Sequence, residues 1–447
     1  MENLSQEQKN LQKQENPQEQ NSLQKQENPQ EQNNPQERES LLQERENRVE
    51  TAATMGIPDT VPWVPMVSGF YMLGYQVSFY DFMKDPRTVK EGVRRFCREY
   101  EPDAGSLPGF YNMDSLEALD TTFLRWPGPE CGVPLDVSFQ HIDMEALMED
   151  EYDEFIEDPT HTILTKILPR KHKKLKGLSK LDFHEVYDKS MIDSFAAFTD
   201  PEVWEAVEAM KKAGEACNRF RMRMGEVMSI LPEESVPHFV HGGLTIPFDA
   251  FADSCRGIIN TSMDLLTCPE DVERAVGALT RFTVEKAIRA AAARGAKRII
   301  MPLHMGVDEF MSPANYEKYY WPNLKYCINT IIRHGMTPVA FCEGHYDSRL
   351  KVLCDVPKGK VIYMFENVDL KRMKETVGQV ACVAGTVPNA LLAYGKPEQV
   401  EAETKRQIDI LAPGGGFIMN CSAMLDNADH KNMHIWRDVT REYGRSR

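Results

Sequence analysis

Glu343, Cys382 and Cys421 each stand where an apolar, strand-like run (336–342, 379–381 and 414–420) breaks into a polar loop. If those runs are parallel strands separated by helices, their carboxyl-terminal ends converge on one rim, where α/β enzymes keep their chemistry. Two thiolates and a carboxylate gathered there suit zinc with an open coordination position. No C-x-x-C occurs, so this reading depends on the fold, and the competing one makes Cys382 and Cys421 small buried hydrophobes. His345 follows Glu343 by two residues, as a fourth ligand, a proton donor or a loop histidine. His241 and His304 each end a strand-like run, either facing a substrate or satisfied within the structure. Glu366 ends another, as a general acid, an orienting partner for a metal ligand, or the ion-pair partner of Arg349.

The elements that would position these groups follow from periodicity and punctuation. Strand-like runs fall at 60–66, 102–106, 236–241, 298–304, 337–343, 360–366, 379–384 and 415–420. Helical patterns fill the later gaps at 269–294, 313–333 and 397–411. Strands alternating with helices predict a parallel sheet, and eight such units predict an α/β fold of the (β/α)8 (TIM) barrel type. The interval after the second strand, 110–235, is too long for a plain crossover and reads as an insertion that carries function or covers the active face. Its basic run at 170–176 reads as a solvated loop or as a docking patch for an acidic partner.

The first 37 residues are of low complexity, with 11–21 repeated at 23–33, and hold almost no large apolar side chain. Such a segment cannot offset its ordering entropy, so residues 1–37 are expected to be a disordered tail, with order starting near Glu39 and one domain over 38–447. A net charge of −16 argues against nucleic acid, which calls for a basic footprint. No run spans a bilayer and the first residues lack a signal peptide's basic and apolar regions, so the expected compartment is the cytosol, with no membrane partner. Ten scattered cysteines and 23 methionines fit a reducing environment.

The segments Gly56-Ile-Pro-Asp-Thr-Val-Pro62, Phe341-Cys-Glu-Gly344, Val361-Ile-Tyr-Met-Phe-Glu-Asn-Val-Asp369, Ala384-Gly-Thr-Val-Pro-Asn-Ala-Leu-Leu392, Gly395-Lys-Pro-Glu-Gln-Val400 and Gly414-Gly-Gly-Phe-Ile418 resemble the uroporphyrinogen decarboxylase superfamily from about residue 38 onward. That superfamily holds cofactor-free decarboxylases and zinc-dependent methyltransferases that exchange methyl groups with a corrinoid protein. The decarboxylases carry arginines straight after the first strand to hold substrate carboxylates. The equivalent stretch here, 63–75, contains none, and its Trp63, Phe70, Tyr71 and Tyr75 are the expected substrate-binding residues for an apolar ligand. Thiol-specific relatives end the fifth strand in His-x-Cys-Gly; with the glycine aligned on Gly344, Phe341 and Glu343 replace the histidine and cysteine. Cys421 falls near the last ligand's place, and Cys382 is the candidate to supply the missing thiolate.

The resemblance therefore implies a metal set of Glu343, Cys382, Cys421 and His345 around zinc, with Glu343, Glu366, His241 and His304 as catalytic candidates. A carboxylate in place of a thiolate makes zinc a stronger Lewis acid, suited to polarising an ether oxygen. The implied activity is O-demethylation of a methoxylated aromatic compound, the methyl group passing to cob(I)alamin on a partner corrinoid protein, with a homodimer as a compatible assembly. Alternatives are a different donor (methylamine, betaine or thiol), a uroporphyrinogen-type decarboxylase, and a metal-free scaffold for the corrinoid protein.

Overall fold

The structure is a computed structural model that describes residues 34–107, 109–184 and 187–446. The repeat at 11–33 lies outside the described residues. The chain divides into two units, Met1–Leu41 and Leu42–Arg447, and the described part of the first is the opening of one helix. That helix, α1 (Pro35–Ala53), starts before the expected Glu39 and buries Val49, Ala52 and Ala53. The other principal helices are α2 (Lys90–Tyr100), α3 (Pro201–Met228), α4 (Pro269–Ala293), α5 (Trp321–Arg333), α6 (Pro397–Leu411) and α7 (His430–Tyr443). Their starts follow local chemistry: Asp200 caps α3 by accepting from the Glu202 amide at 2.9 Å, with Pro201 in the first turn. Asp429 does the same for α7 through the amides of Lys431 and Asn432. No helix among the described residues is long and apolar enough to cross a membrane.

Two short strands, β1 (Leu124–Arg125) and β2 (Gln140–His141), pair antiparallel inside the insertion. Five strands, β3 (Arg298–Leu303), β4 (Thr337–His345), β5 (Ile362–Asn367), β6 (Cys382–Ala384) and β7 (Phe417–Ile418), form one parallel sheet in that order. These are five of the eight expected positions. The remaining three, 60–66, 102–106 and 236–241, form isolated parallel bridges instead of extended strands: Trp63 with Met419, and Gly105 with His238. The reason is chemical, since Pro62, Pro65, Pro102 and Pro237 lie in these segments and proline has no N–H to give to a ladder. Backbone bonds nevertheless run through them from one sheet edge to the other. Val64 N donates to Met419 O at 2.9 Å, Asp103 N to Trp63 O at 3.0 Å, Gly105 N to Pro237 O at 2.9 Å, and His241 N to Arg298 O at 2.9 Å.

The insertion is mostly helical. It carries a satellite core in which Leu175, Leu178 and Leu181 pack on Val203, Ala206 and Ala209 of α3. Its basic run is engaged internally: Arg170 pairs with Glu151, Lys174 with Glu205, and the buried Lys171 donates to the Ser254 carbonyl at 3.0 Å. That arrangement leaves few of these cations for an acidic partner.

Candidate active site

Glu343, near the end of β4, is the centre of a cluster that the structure assembles among the described residues from three of the expected catalytic groups, Glu343, Glu366 and His304. Pro302 aligns with Phe341 and Leu303 with Cys342 across β3 and β4, so the next residues, His304 and Glu343, emerge side by side. Side chains alternate along a strand, which puts Ile300, Pro302 and His304 on one face and Phe341 and Glu343 on the same face. The imidazole Nε2 of His304 stands 3.7 Å from Glu343 Oε1, and its Nδ1 is 2.7 Å from Asp253 Oδ2. On the next strand Glu366 accepts from the Gly344 amide at 2.7 Å, close enough for its charge to act on Glu343. Gly344 has φ +86°, a backbone state that glycine adopts without strain, and this turn aims its N–H at Glu366.

Two further carboxylates come from a helical stretch that sequence reading passed over. The short helix Pro247–Phe251 runs into a wider π turn, Ala252–Arg256, and places Asp249 and Asp253 beneath the end of β3. Asp249 is fully buried and accepts from the amides of His304 and Met305, at 3.1 and 3.0 Å, and from the Tyr320 hydroxyl at 3.0 Å. The available signal was the i, i+4 pair of aspartates among Phe248, Ala250, Phe251 and Ala252, a spacing that buries acids on an otherwise apolar helix.

Burial and crowding set the protonation of this group. Burial pushes the Asp249 carboxyl up to about 7, against the pull of His304. Burial also raises Glu343, and the negative charges of Glu366 and Asp253 add to that rise while His304 opposes it. For His304 burial works the other way, but the hydrogen bond and charge of Asp253, with Glu343 and Asp249 behind, overcome it and lift the imidazole to about 9. The site at neutral pH is thus an imidazolium held between carboxyl groups, one of which resists ionising. The insertion reaches it too, since the charge of Asp253 acts on both Tyr111 and His141.

Along the same face of β3, two residues before His304, opens a cavity of about 550 Å³ that none of these charged groups lines. Ile300 and Pro302 form part of its wall, together with Met66, Met224, Met228 and Met424. Among the described residues no lysine or arginine lines it. His241 belongs to this cavity and not to the carboxylate cluster.

The remaining expectations are corrected by geometry. Cys382 opens β6 instead of ending a strand, because 377–379 form a 3₁₀ turn and extension starts only at Cys382. It pairs with Ile362 at the start of β5, fully buried at the amino-terminal end of the sheet, with Lys374 and Glu50 as its charged neighbours. Cys421 is also buried, its Sγ 3.3 Å from Asn420 Oδ1, and burial pushes its thiol up to about 12. His345 turns outward, its Nδ1 bonded to Glu309 and its Nε2 to Asn367. The four residues expected to hold zinc therefore do not converge, and no group of three His, Cys, Asp or Glu among the described residues could hold a metal ion. The donor set does not fit zinc.

The expected aromatic pocket is core. Trp63 is fully buried against Trp436 of α7 at 5.1 Å between ring centres, and Tyr71 and Phe70 pack on Phe96 of α2. Tyr75 is half-buried beside Phe70 and His430. Of that segment, Met66 is the residue that reaches the cavity. Glu366 pairs with the Gly344 amide and not with Arg349, whose guanidinium is buried on the carbonyls of Gly306, Val307 and Met311.

Comparison with known proteins agrees with this architecture. A solved methyltransferase from Methanosarcina mazei has the same fold, with a TM-score of 0.57 and 13% identity, the match covering 89% of this chain and 98% of that one. Over 110 residues the chain is 30% identical to the uroporphyrinogen decarboxylase of Geobacter sulfurreducens; this is 25% of the chain and 32% of the relative, so the likeness spans about a third of that protein's length. Residues 192–443, more than half of the sequence, match the family profile of uroporphyrinogen decarboxylase (URO-D), and the chain belongs to that family.

Proposed function

We propose that the eight strand positions, linked edge to edge by backbone bonds, make a (β/α)8 barrel whose carboxyl-terminal mouth transfers the methyl group of a methoxylated aromatic compound to cob(I)alamin on a partner corrinoid protein. The observation that carries this reading is the cavity. It is largely apolar and, among the described residues, no lysine or arginine lines it, whereas a porphyrinogen substrate brings several carboxylates that call for arginines. The fold shared with a methyltransferase supports the same choice.

Phenolate is a poor leaving group, so the departing oxygen needs a proton. Because the expected zinc ligands do not meet, that task falls to the acids at the mouth. Glu343, whose carboxyl is raised by burial and by the charges of Glu366 and Asp253 against the pull of His304, is the acid placed to give its proton to the ether oxygen as the methyl–oxygen bond breaks and the bonding pair stays on oxygen. The methyl carbon passes in line to the reduced corrinoid. Solvent at the partly open mouth then returns a proton to Glu343, and the His304 imidazolium, 3.7 Å away and held by Asp253 at 2.7 Å, offsets the carboxylate's charge until it does.

Mixing purified protein with 2-methoxyphenol tests the reaction. No catechol should form until cob(I)alamin is added, after which catechol and methylcobalamin should appear together. Catechol without corrinoid, or carbon dioxide from a porphyrinogen, overturns it.

A further inference from the structure

His304 is held twice from one short stretch of helix, by its main chain and by its ring. Asp249, on the helix Pro247–Phe251, has no exposed surface, and its two oxygens divide three donors between them. Oδ2 accepts from the His304 amide at 3.1 Å and from the Tyr320 hydroxyl at 3.0 Å, and Oδ1 accepts from the Met305 amide at 3.0 Å. One turn further along, Asp253 Oδ2 lies 2.7 Å from the imidazole Nδ1. Positions four apart on a helix face the same way, so one rigid piece grips one residue at two points.

The chain that leaves β3 is built around this grip. Tyr346 donates to the Leu303 carbonyl at 3.2 Å, and Arg349 donates to those of Gly306 and Val307 at 3.0 Å each. At Gly306 a β-carbon would stand 2.7 Å from the Tyr320 ring and 2.8 Å from the Tyr346 hydroxyl, too close for either to stay where it is. A residue without a β-carbon therefore lets Tyr320 lie against the turn and keep its bond to Asp249. The bonds of Asp249 fix the main chain at His304, and both contacts of the ring, to Asp253 and to Glu343, start from there. A main-chain displacement of about 1 Å, the scale at which misplaced groups lose catalysis, would lengthen or break both.

We propose that Asp249 is a positioning residue: by fixing the main chain at His304 and Met305 it sets the 3.7 Å separation at which the imidazole meets Glu343. Its bearing on turnover rests on the methyl-transfer reading above; the positioning itself does not. NMR of the histidine-labelled full chain tests the positioning without substrate. The charged neighbours of the His304 ring are Asp253, Glu343 and Asp249, with His141 reaching it from the insertion. In the parent, Glu343→Gln removes one negative neighbour and should lower the His304 midpoint by about one pH unit. Asp249→Asn turns one oxygen into an NH2 group facing donors, which releases the main chain. In that background the same Glu343→Gln step should shrink to about half or less, because the ring no longer stands at its distance from Glu343. Equal steps in both backgrounds would make Asp249 a remote charge only and overturn the proposal. Tyr320→Phe removes one hydroxyl from the same grip and serves as the background if thermal melts show that Asp249→Asn is unfolded. The step should again be smaller than in the parent, and an undiminished one overturns the proposal. With 2-methoxyphenol and cob(I)alamin, Asp249→Asn should lower kcat about tenfold with KM within about twofold. A parent protein that transfers no methyl group, with a diminished step, removes the reaction and leaves the positioning standing; active parent with equal steps does the reverse.

Discussion

The amino-terminal end of the parallel sheet and its carboxyl-terminal end use the same residue types to opposite effect. At the first, Arg298 is fully buried, its Nε donates to the Phe239 carbonyl at 2.6 Å, and Nη2 pairs with Glu46 of α1 at 2.8 Å. Lys374 nearby donates to the carbonyls of Leu411 and Gly415, and Cys382 lies beneath it as an inert thiol. At the other end His304, Glu343, Glu366 and Asp253 crowd one cation among three carboxyl groups in partly open surroundings. Paired charge at one end locks helix to sheet, and unbalanced charge at the other holds protons in unusual places. The difference teaches that residue type alone does not mark a site; what marks it is a group whose preferred charge state its neighbours oppose.

The comparison can be broken from either side. The largest effect is expected from Glu343→Gln, which keeps the shape and removes the proton: methyl transfer should fall by about 10²–10⁴, the usual range for loss of a general acid, with thermal stability unchanged. Activity within threefold of the parent would show that the crowded end is not the reacting one. Next comes Arg298→Met, which takes from Glu46 its buried partner, leaving it the exposed Lys297 at 3.1 Å, and takes the donor from the Phe239 and His238 carbonyls; it should cost about 3–5 kcal/mol in urea unfolding while the folded fraction retains its turnover. A loss of turnover without loss of stability would assign chemistry to the wrong end.

The smallest effect sharpens the comparison through pH. His304 is raised in the folded chain from its ordinary 6.5 to about 9, so its contribution to stability is full below about 6.5 and is lost as pH rises through 9. Asp253→Asn removes the hydrogen bond and charge that sustain it. The imidazole midpoint followed by NMR should drop, and the decline in stability between pH 6.5 and 9 should shrink. An unchanged midpoint would mean that Asp253 is not what holds the proton.

How much of this was legible in the chain depended on whether the determining forces were local. The apolar runs located the strand positions, and helix starts with a proline in the first turn, as at Pro269 and Pro397, bounded α4 and α6 closely. Strand alternation is local as well, so Glu343 and His304 could be placed at strand ends from sequence. Cys382 could not, because whether a strand begins or ends at a given residue turned on a 3₁₀ turn at 377–379. The aromatics at 63–75 read as a pocket for a similar reason: what covers Trp63 is Trp436, at the far end of the chain, and nothing near Trp63 announces it. Asp249 and Asp253 were missed because their helix offered only an i, i+4 spacing without a strand end to give it meaning.

The buried lock at Arg298 also has a consequence in time. Its partner Glu46 precedes it by 252 residues, and the bond from the Met66 amide to Asn420 Oδ1 joins positions 354 apart. During synthesis α1 and the first bridging segment emerge long before the residues that will fix them. Contacts of such separation form late and slow the folding of the whole, so the growing chain carries one edge of 62–66 unpaired until 419–425 have been made.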